Sequence, residues 1–153
     1  WSERKGYSDF IKLSDELSEN QKIVMVGVND KQAEELPDSI IAIKKTNSVE
    51  ELAEIYNAAD VFFNFTYEDN FPTVNLEAMA CGTPVITYRT GGSIEPITKD
   101  NGFVVEQGNY SRALELLDNI KALNRRRIVE SSMQYDAKKK YGEYIDLYRE
   151  KLR

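Results

Sequence analysis

Residues 67–83 read YEDNFPTVNLEAMACGT, and the middle of this stretch is a helix punctuated at both ends. Pro72 stands where the first helical residue is expected, since its missing N–H is an orphan there and its φ is already helical. Gly82 follows the last apolar residue, the usual place for a left-handed C-terminal cap, and Pro84 stops the helix from continuing. Residues 61–65 (VFFNF) before it and 85–88 (VITY) after it have the β-branched and aromatic character of strands. The order strand–loop–helix–strand is that of a parallel βαβ unit, which binds ligands at the carboxyl ends of its strands. The expected fold class is therefore α/β with a doubly wound parallel sheet.

Within the helix, Ala78, Met79, Ala80 and Cys81 leave no polar stripe, which predicts burial on all sides. Glu77 interrupts that run, and a carboxylate on a buried helix is costly unless something donates to it. No basic residue lies within one helical turn of it in sequence. Thr73 is four residues earlier on the same face, so Glu77 projects roughly 6 Å down the axis from the helix start. Free N–H groups and partial positive charge at a helix start suit a phosphate. A carboxylate about one ribose further on is placed to accept from two sugar hydroxyls. The alternative is a boundary glutamate with a solvated head, or one paired to a distant lysine or arginine.

The same stretch resembles the donor-binding signature of GT-B retaining glycosyltransferases, the large family of glycosyl transferases group 1. That pattern is Glu-x7-Glu followed by Ala-Met-Ala-x-Gly-x-Pro-Val. Here Asp69 and Glu77 are separated by seven residues, and residues 78–85 match outright. The resemblance implies a Rossmann-like sheet forming one half of a GT-B fold, with residues 1–153 as its nucleotide-sugar-binding C-terminal domain. It implies Glu77 on the ribose hydroxyls and Asp69, one methylene shorter than the usual glutamate, on the transferred sugar, with Glu68 next door as a substitute. Asn70 and Phe71 take the place of a Gly-Phe-Gly loop, and Thr73 and Val74 supply amides to phosphate. Lys5, in a Lys-Gly pair that opens a helix, neutralises the donor diphosphate by the same analogy, with Arg4 beside it. Lys5 and Asp69 are thus the expected catalytic residues. Lys44 lies in the loop that faces the nucleotide base, although on residue chemistry it reads as solvated. Gly91 and Gly92 belong to a Thr-Gly-Gly turn at the same sheet edge. No metal and no cofactor are implied, because lysine and helix N–H groups take the charge of a divalent ion. The branch with Glu-Asp-Asn-Phe-Pro is similar to enzymes of bacterial polysaccharide assembly.

The bulk numbers agree with one domain. The chain has 153 residues, 41% hydrophobic and 30% charged, which suits a globular protein with a real core. No apolar run approaches the roughly 20 residues needed to span a bilayer. One cysteine excludes an internal disulfide, and Cys81 reads as a small core residue. There is no histidine, which removes the commonest general base and metal ligand. The net charge of −6 speaks against nucleic acid as a partner. Residues 121–153 nevertheless hold ten basic and five acidic side chains, a local +5. Such a segment can favour an anionic membrane surface, although most are solvated helix faces. A cytoplasmic, at most membrane-peripheral, location follows as an expectation.

The remaining segments alternate as an α/β chain should. Residues 22–28 (KIVMVGV) predict a strand buried on both faces, with Gly27 allowing close backbone approach. Short helices are expected at 30–36 and from a Ser48-x-x-Glu51 capping box, a strand at 39–43 between them, and a last strand at 101–106. Two terminal helices, 110–123 and 125–152, follow, the second broken near Asp136 or Gly142. By resemblance, the strand in the middle of the sheet precedes Trp1, so strands 22–28 and 61–65 should face each other across an open slot. The acceptor site and acid–base groups are then expected in an amino-terminal domain. The competing reading is a non-catalytic signalling or scaffold module of receiver-like outline. A receiver needs acids after the carboxyl ends of its first and third strands, and Asp60 sits at the amino end of its strand.

Overall fold

A computed structural model describes residues 1–152 of the chain. Five strands, β1 (Ile23–Val26), β2 (Ile40–Ile43), β3 (Phe62–Asn64), β4 (Val85–Tyr88) and β5 (Gly102–Val105), alternate with helices. These are α1 (Tyr7–Asp15), α2 (Asp30–Glu35), α3 (Val49–Ala58), α4 (Thr73–Ala80), α5 (Tyr110–Glu115), α6 (Leu117–Lys121), α7 (Arg125–Ser132) and α8 (Ala137–Lys151). Every pairing is parallel. The order β1-β2 and, separately, β3-β4-β5 leaves β1 and β3 without hydrogen bonds to one another. The expected interruption of pairing between those two strands is present.

Two apolar clusters cover the three-stranded sheet. Ile86 and Tyr88 point from β4 into a core shared with Phe10 and Leu13 of α1, Met25 of β1, Ala113 of α5 and Ile120 of α6. Val85 points the opposite way, to Tyr56 of α3, Ala78 and Met79 of α4 and Ile128 of α7. The period-2 alternation of a strand thus places helices on both faces. The sheet of β1 and β2 is covered on one face only. Val24 and Ile41, paired in register, are 44% and 48% exposed. The expectation that residues 22–28 are buried on both faces is therefore wrong for Val24, whose face of the sheet meets solvent among the described residues.

Several local expectations shift. Pro72 is the cap residue, with ψ 110° in the extended region, and Thr73 is the first helical residue. Gly82 adopts φ 75° as expected of the cap. The helix it closes is not buried all round: Ala78 and Met79 are fully buried, but Thr73, Glu77 and Ala80 face solvent and Cys81 is half-buried. Gly27 takes a positive φ of 86°, yet a side chain there would meet nothing, so its glycine serves backbone conformation rather than close approach. The terminal helix breaks at Asp136, which caps α8 by accepting from the Lys139 N–H, and runs through Gly142. The 110–123 segment is two short helices meeting at Leu116.

Candidate functional site

The carboxyl ends of β3 and β4 carry the expected residues, and a seam of buried polar groups holds them in place. Asn75, fully buried in α4, accepts from the Asn64 side-chain amide at 2.8 Å. It donates in turn to the Ser93 carbonyl at 3.1 Å. One side chain therefore ties the end of β3, the first turn of α4 and the Gly-Gly turn together. The Thr90 hydroxyl donates to the Thr66 carbonyl at 2.9 Å and the Thr87 hydroxyl to the Asn64 carbonyl at 3.2 Å. Leaving any of these groups unpaired would cost about 1–3 kcal/mol, so the seam specifies one arrangement. Sequence reasoning missed Asn75; the available signal was a short polar residue inside an otherwise apolar helix.

Gly91 and Gly92 lie directly against the acidic loop. A Cβ on Gly91, whose φ is +42°, would come 2.1 Å from the Asp69 carbonyl oxygen, and one on Gly92 2.1 Å from that of Asn70. The Gly92 N–H donates to the Asn70 carbonyl at 2.8 Å. Only glycine fits this approach. Asp69 accepts from the Phe71 N–H at 3.1 Å through one oxygen, an Asx turn that shapes the loop. Its other oxygen lies 3.6 Å from Lys5 Nζ. The two expected catalytic residues, 64 positions apart, are thus brought together. The pair is half-exposed, so it contributes little to stability, on the order of 0–1 kcal/mol.

Lys5 is placed by the glycine that follows it. Gly6 has φ 76° and caps α1, and a Cβ there would lie 2.4 Å from the Phe65 carbonyl oxygen. The chain start therefore presses against the end of β3, where the Tyr67 N–H donates to the Arg4 carbonyl at 2.9 Å. Arg4 contributes that carbonyl and, with Glu68, Asp9, Tyr67, Ser8 and Lys12, lines a cavity of about 450 Å³. Neither Lys5 nor Asp69 lines it.

Glu77 is exposed on α4 and is not without donors. The hydroxyl of Tyr56, from α3, donates to one carboxylate oxygen at 3.2 Å, and that of Thr73 approaches the other at 3.5 Å. Burial, followed by the charge of Glu77, pushes the Tyr56 hydroxyl well above its ordinary pKa, so it remains a donor. Its head is solvated, as the boundary-glutamate reading of the sequence has it, and it is oriented from below because α3 and α4 pack side by side. Beside it a second cavity of about 550 Å³ is lined by Thr73, Glu77, Ser132, Met133, Tyr135 and Asp136. The ring of Tyr135, one of its lining residues, lies 6.0 Å from that of Phe71. The 3₁₀ turn carrying Tyr135 follows α7, and nothing local in the sequence places it against α4. Val74 lies half-buried in the first turn of α4 and Asn70 is exposed in the loop before it. By helix geometry the first amides of α4, those of Thr73 and Val74, have no carbonyl partner within the helix. Lys44 is elsewhere occupied, pairing with Asp30 at the start of α2 with both side chains exposed. No group of three or more metal-ligating side chains occurs among the described residues.

The fold and site define a Rossmann-like half of a GT-B architecture with an acid, a lysine and a helix start converging on one sheet edge. A model of the family described as glycosyl transferases group 1 matches residues 1–140, and the chain belongs to that family. A D-inositol 3-phosphate glycosyltransferase of Saccharomonospora viridis is 30% identical over 112 residues, 67% of this chain and 26% of that protein. A glycosyltransferase structure from Rickettsia africae superposes with TM-score 0.83 at 16% identity, covering 99% of this chain and 46% of that one. Anabaena HepE in complex with UDP-glucose superposes with TM-score 0.65 at 18% identity, covering 88% and 46%. The chain thus spans between about a quarter and a half of the length of these proteins.

Proposed function

We propose that residues 1–153 bind the nucleotide-sugar donor of a retaining hexosyltransferase in polysaccharide or glycolipid synthesis. The observation that carries this reading is the placement of Glu77 on the solvent face of α4, one turn below the helix start, with the Lys5–Asp69 pair formed by the loop that leads into that helix. Glu77 accepts from the ribose hydroxyls while Tyr56 fixes its orientation. The Thr73 and Val74 amides and Lys5 take the diphosphate charge, so neither a divalent metal nor a cofactor is needed at this stage. Asp69 orients the hexose. The acceptor and the acid–base groups belong to another domain of a cytoplasmic enzyme, and residues 1–153 alone bind without turning over. The GT-B neighbour that holds UDP-glucose supports a nucleotide-sugar as the ligand class. The receiver-like alternative has no observation in its favour.

Calorimetric titration with UDP, GDP and ADP tests the reading and selects the base. Glu77→Gln should then lose charge-assisted hydrogen bonds of about 1.5–3 kcal/mol, ten- to a hundredfold in affinity. The loss should be equal for the bare nucleotide and the nucleotide-sugar, because both carry the ribose. Asp69→Asn should weaken only the sugar-bearing ligand. The assignment fails if Glu77→Gln leaves bare-nucleotide binding unchanged, or if Asp69→Asn weakens both ligands alike.

A further inference from the structure

Asp9 borders the cavity of Arg4 and Glu68 but makes none of the donor contacts proposed above, and it is a carboxylate only 5% exposed in the first turn of α1. One of its oxygens accepts from two hydroxyls, Tyr67 at 2.6 Å and Tyr88 at 2.8 Å. Its other oxygen has Lys12 Nζ at 3.8 Å, whose side chain is mostly in solvent. Burying a carboxylate this deeply requires such donors, and a core of apolar residues would fill the same space at lower cost. What the arrangement adds is a connection. Tyr88 is the last residue of β4 and fully buried, so it fixes the carboxylate from beneath. Tyr67 immediately precedes Glu68 and Asp69 in the loop.

Asp9 also follows Lys5 by four residues in sequence. Four cross-links therefore join the chain start to the segment after β3. Lys5 meets Asp69, the Tyr67 N–H and the Thr66 hydroxyl both donate to the Arg4 carbonyl, and the Tyr67 hydroxyl donates to Asp9. The first is half-exposed and weak; the last is charge-assisted and ends on a carboxylate only 5% exposed, and it is the one able to set the loop's position. The Gln107 side-chain amide closes the far side by donating to the Tyr67 carbonyl at 3.1 Å.

We propose that Asp9, acting through Tyr67, is a positioning residue that holds Asp69 in register with Lys5 at the donor site. The proposal rests on the donor-binding reading above. Removing the Tyr67 hydroxyl releases the loop at Asp69 without touching Glu77, Thr73 or Val74. Its effect falls on the sugar and not on the ribose.

The test is Tyr67→Phe, which keeps the ring against Tyr88, titrated with the diphosphate nucleotide that binds best and with its glucose derivative. The variant should lose most of the affinity difference between the two ligands, a change of roughly tenfold. Asp69→Asn in the same background should add nothing further. Tyr88→Phe should act in the same direction and more weakly, since Tyr67 still holds Asp9. A readout without ligand accompanies it. Hydrogen exchange at the amides of Tyr67 and Phe71 should quicken in Tyr67→Phe, while the amides of β4 keep their protection. A residue that only supports the fold would weaken both ligands alike and quicken exchange throughout. That result, or additive losses in the double variant, would overturn the proposal. If Asp69→Asn alone leaves the sugar increment intact, the reading of Asp69 itself fails; if it removes the increment and Tyr67→Phe does not, only the role of Asp9 fails.

Discussion

Strand β4 has a hydrogen-bonded neighbour on each edge and helices over both faces, whereas β1 has one bonded neighbour and one covered face. Both are written as unbroken β-branched or apolar runs, VITY and IVMV. All four residues of β4 are buried, but β1 leaves Val24 in solvent. An apolar run therefore states that a strand is able to be buried on both faces; the neighbours that do the burying are supplied by the rest of the fold. The site lies on the fully packed half. Its seam of Asn64, Thr66, Asn75, Thr87 and Thr90 is buried among apolar layers, where an unmade hydrogen bond is most costly.

The comparison is open to breakage at the β4 core first. Ile86→Ala should destabilise by about 2–5 kcal/mol, because Ile86 is fully enclosed and the layers around it have little freedom to collapse. Denaturant melts of the two strands' variants give the contrast directly, and an Ile86→Ala loss below about 1 kcal/mol would show that this half is no better packed than the other. Next in size is Gly102→Ala at the start of β5. A Cβ there would meet the Val85 carbonyl oxygen at 2.0 Å, so β4 and β5 must separate locally, at a cost of about 1–3 kcal/mol.

A subtler contrast concerns alkaline pH. Burial and the hydrogen bond to Asp9 push the Tyr67 hydroxyl up to about 12, and burial likewise raises Tyr56 and Tyr88. A pKa raised in the folded state contributes stability that is whole below the ordinary value near 10 and lost as pH rises through the folded one. Ultraviolet titration should then show part of the tyrosine absorbance change well above pH 10, because Tyr56, Tyr67 and Tyr88 ionise late, together with the loss of near-ultraviolet dichroism. A single titration near pH 10 with the fold intact would contradict the buried network. The smallest effect is expected at Val24→Thr, within about 0.5 kcal/mol, because the side chain already meets water. A loss comparable to that of Ile86→Ala would mean that something covers this face in solution.

Much of the site was legible in the signature. The helix of residues 73–80, the capping role of Gly82 and the position of Glu77 follow from local rules, as does the Lys-Gly opening of α1. The exposure of Glu77 was one of two readings left open, since the apolar letters around it suggested a helix buried all round while a boundary glutamate with a solvated head fitted equally well. Tyr56 adds a donor to Glu77 beyond the Thr73 hydroxyl of its own helix, from 21 residues earlier. Asp9 reads as one more polar residue of an amphipathic helix, and its partners are 58 and 79 residues away.

Sequence alone determined what each element is and which end of the sheet carries chemistry, because helix punctuation, strand character and βαβ order depend on neighbours in the chain. Tertiary structure decided which apolar strand is enclosed, which acid meets Lys5 and which carboxylate is buried beneath them. Those outcomes depend on contacts between segments tens of residues apart, and a side chain's letter states what it is able to bond without stating what will stand opposite it.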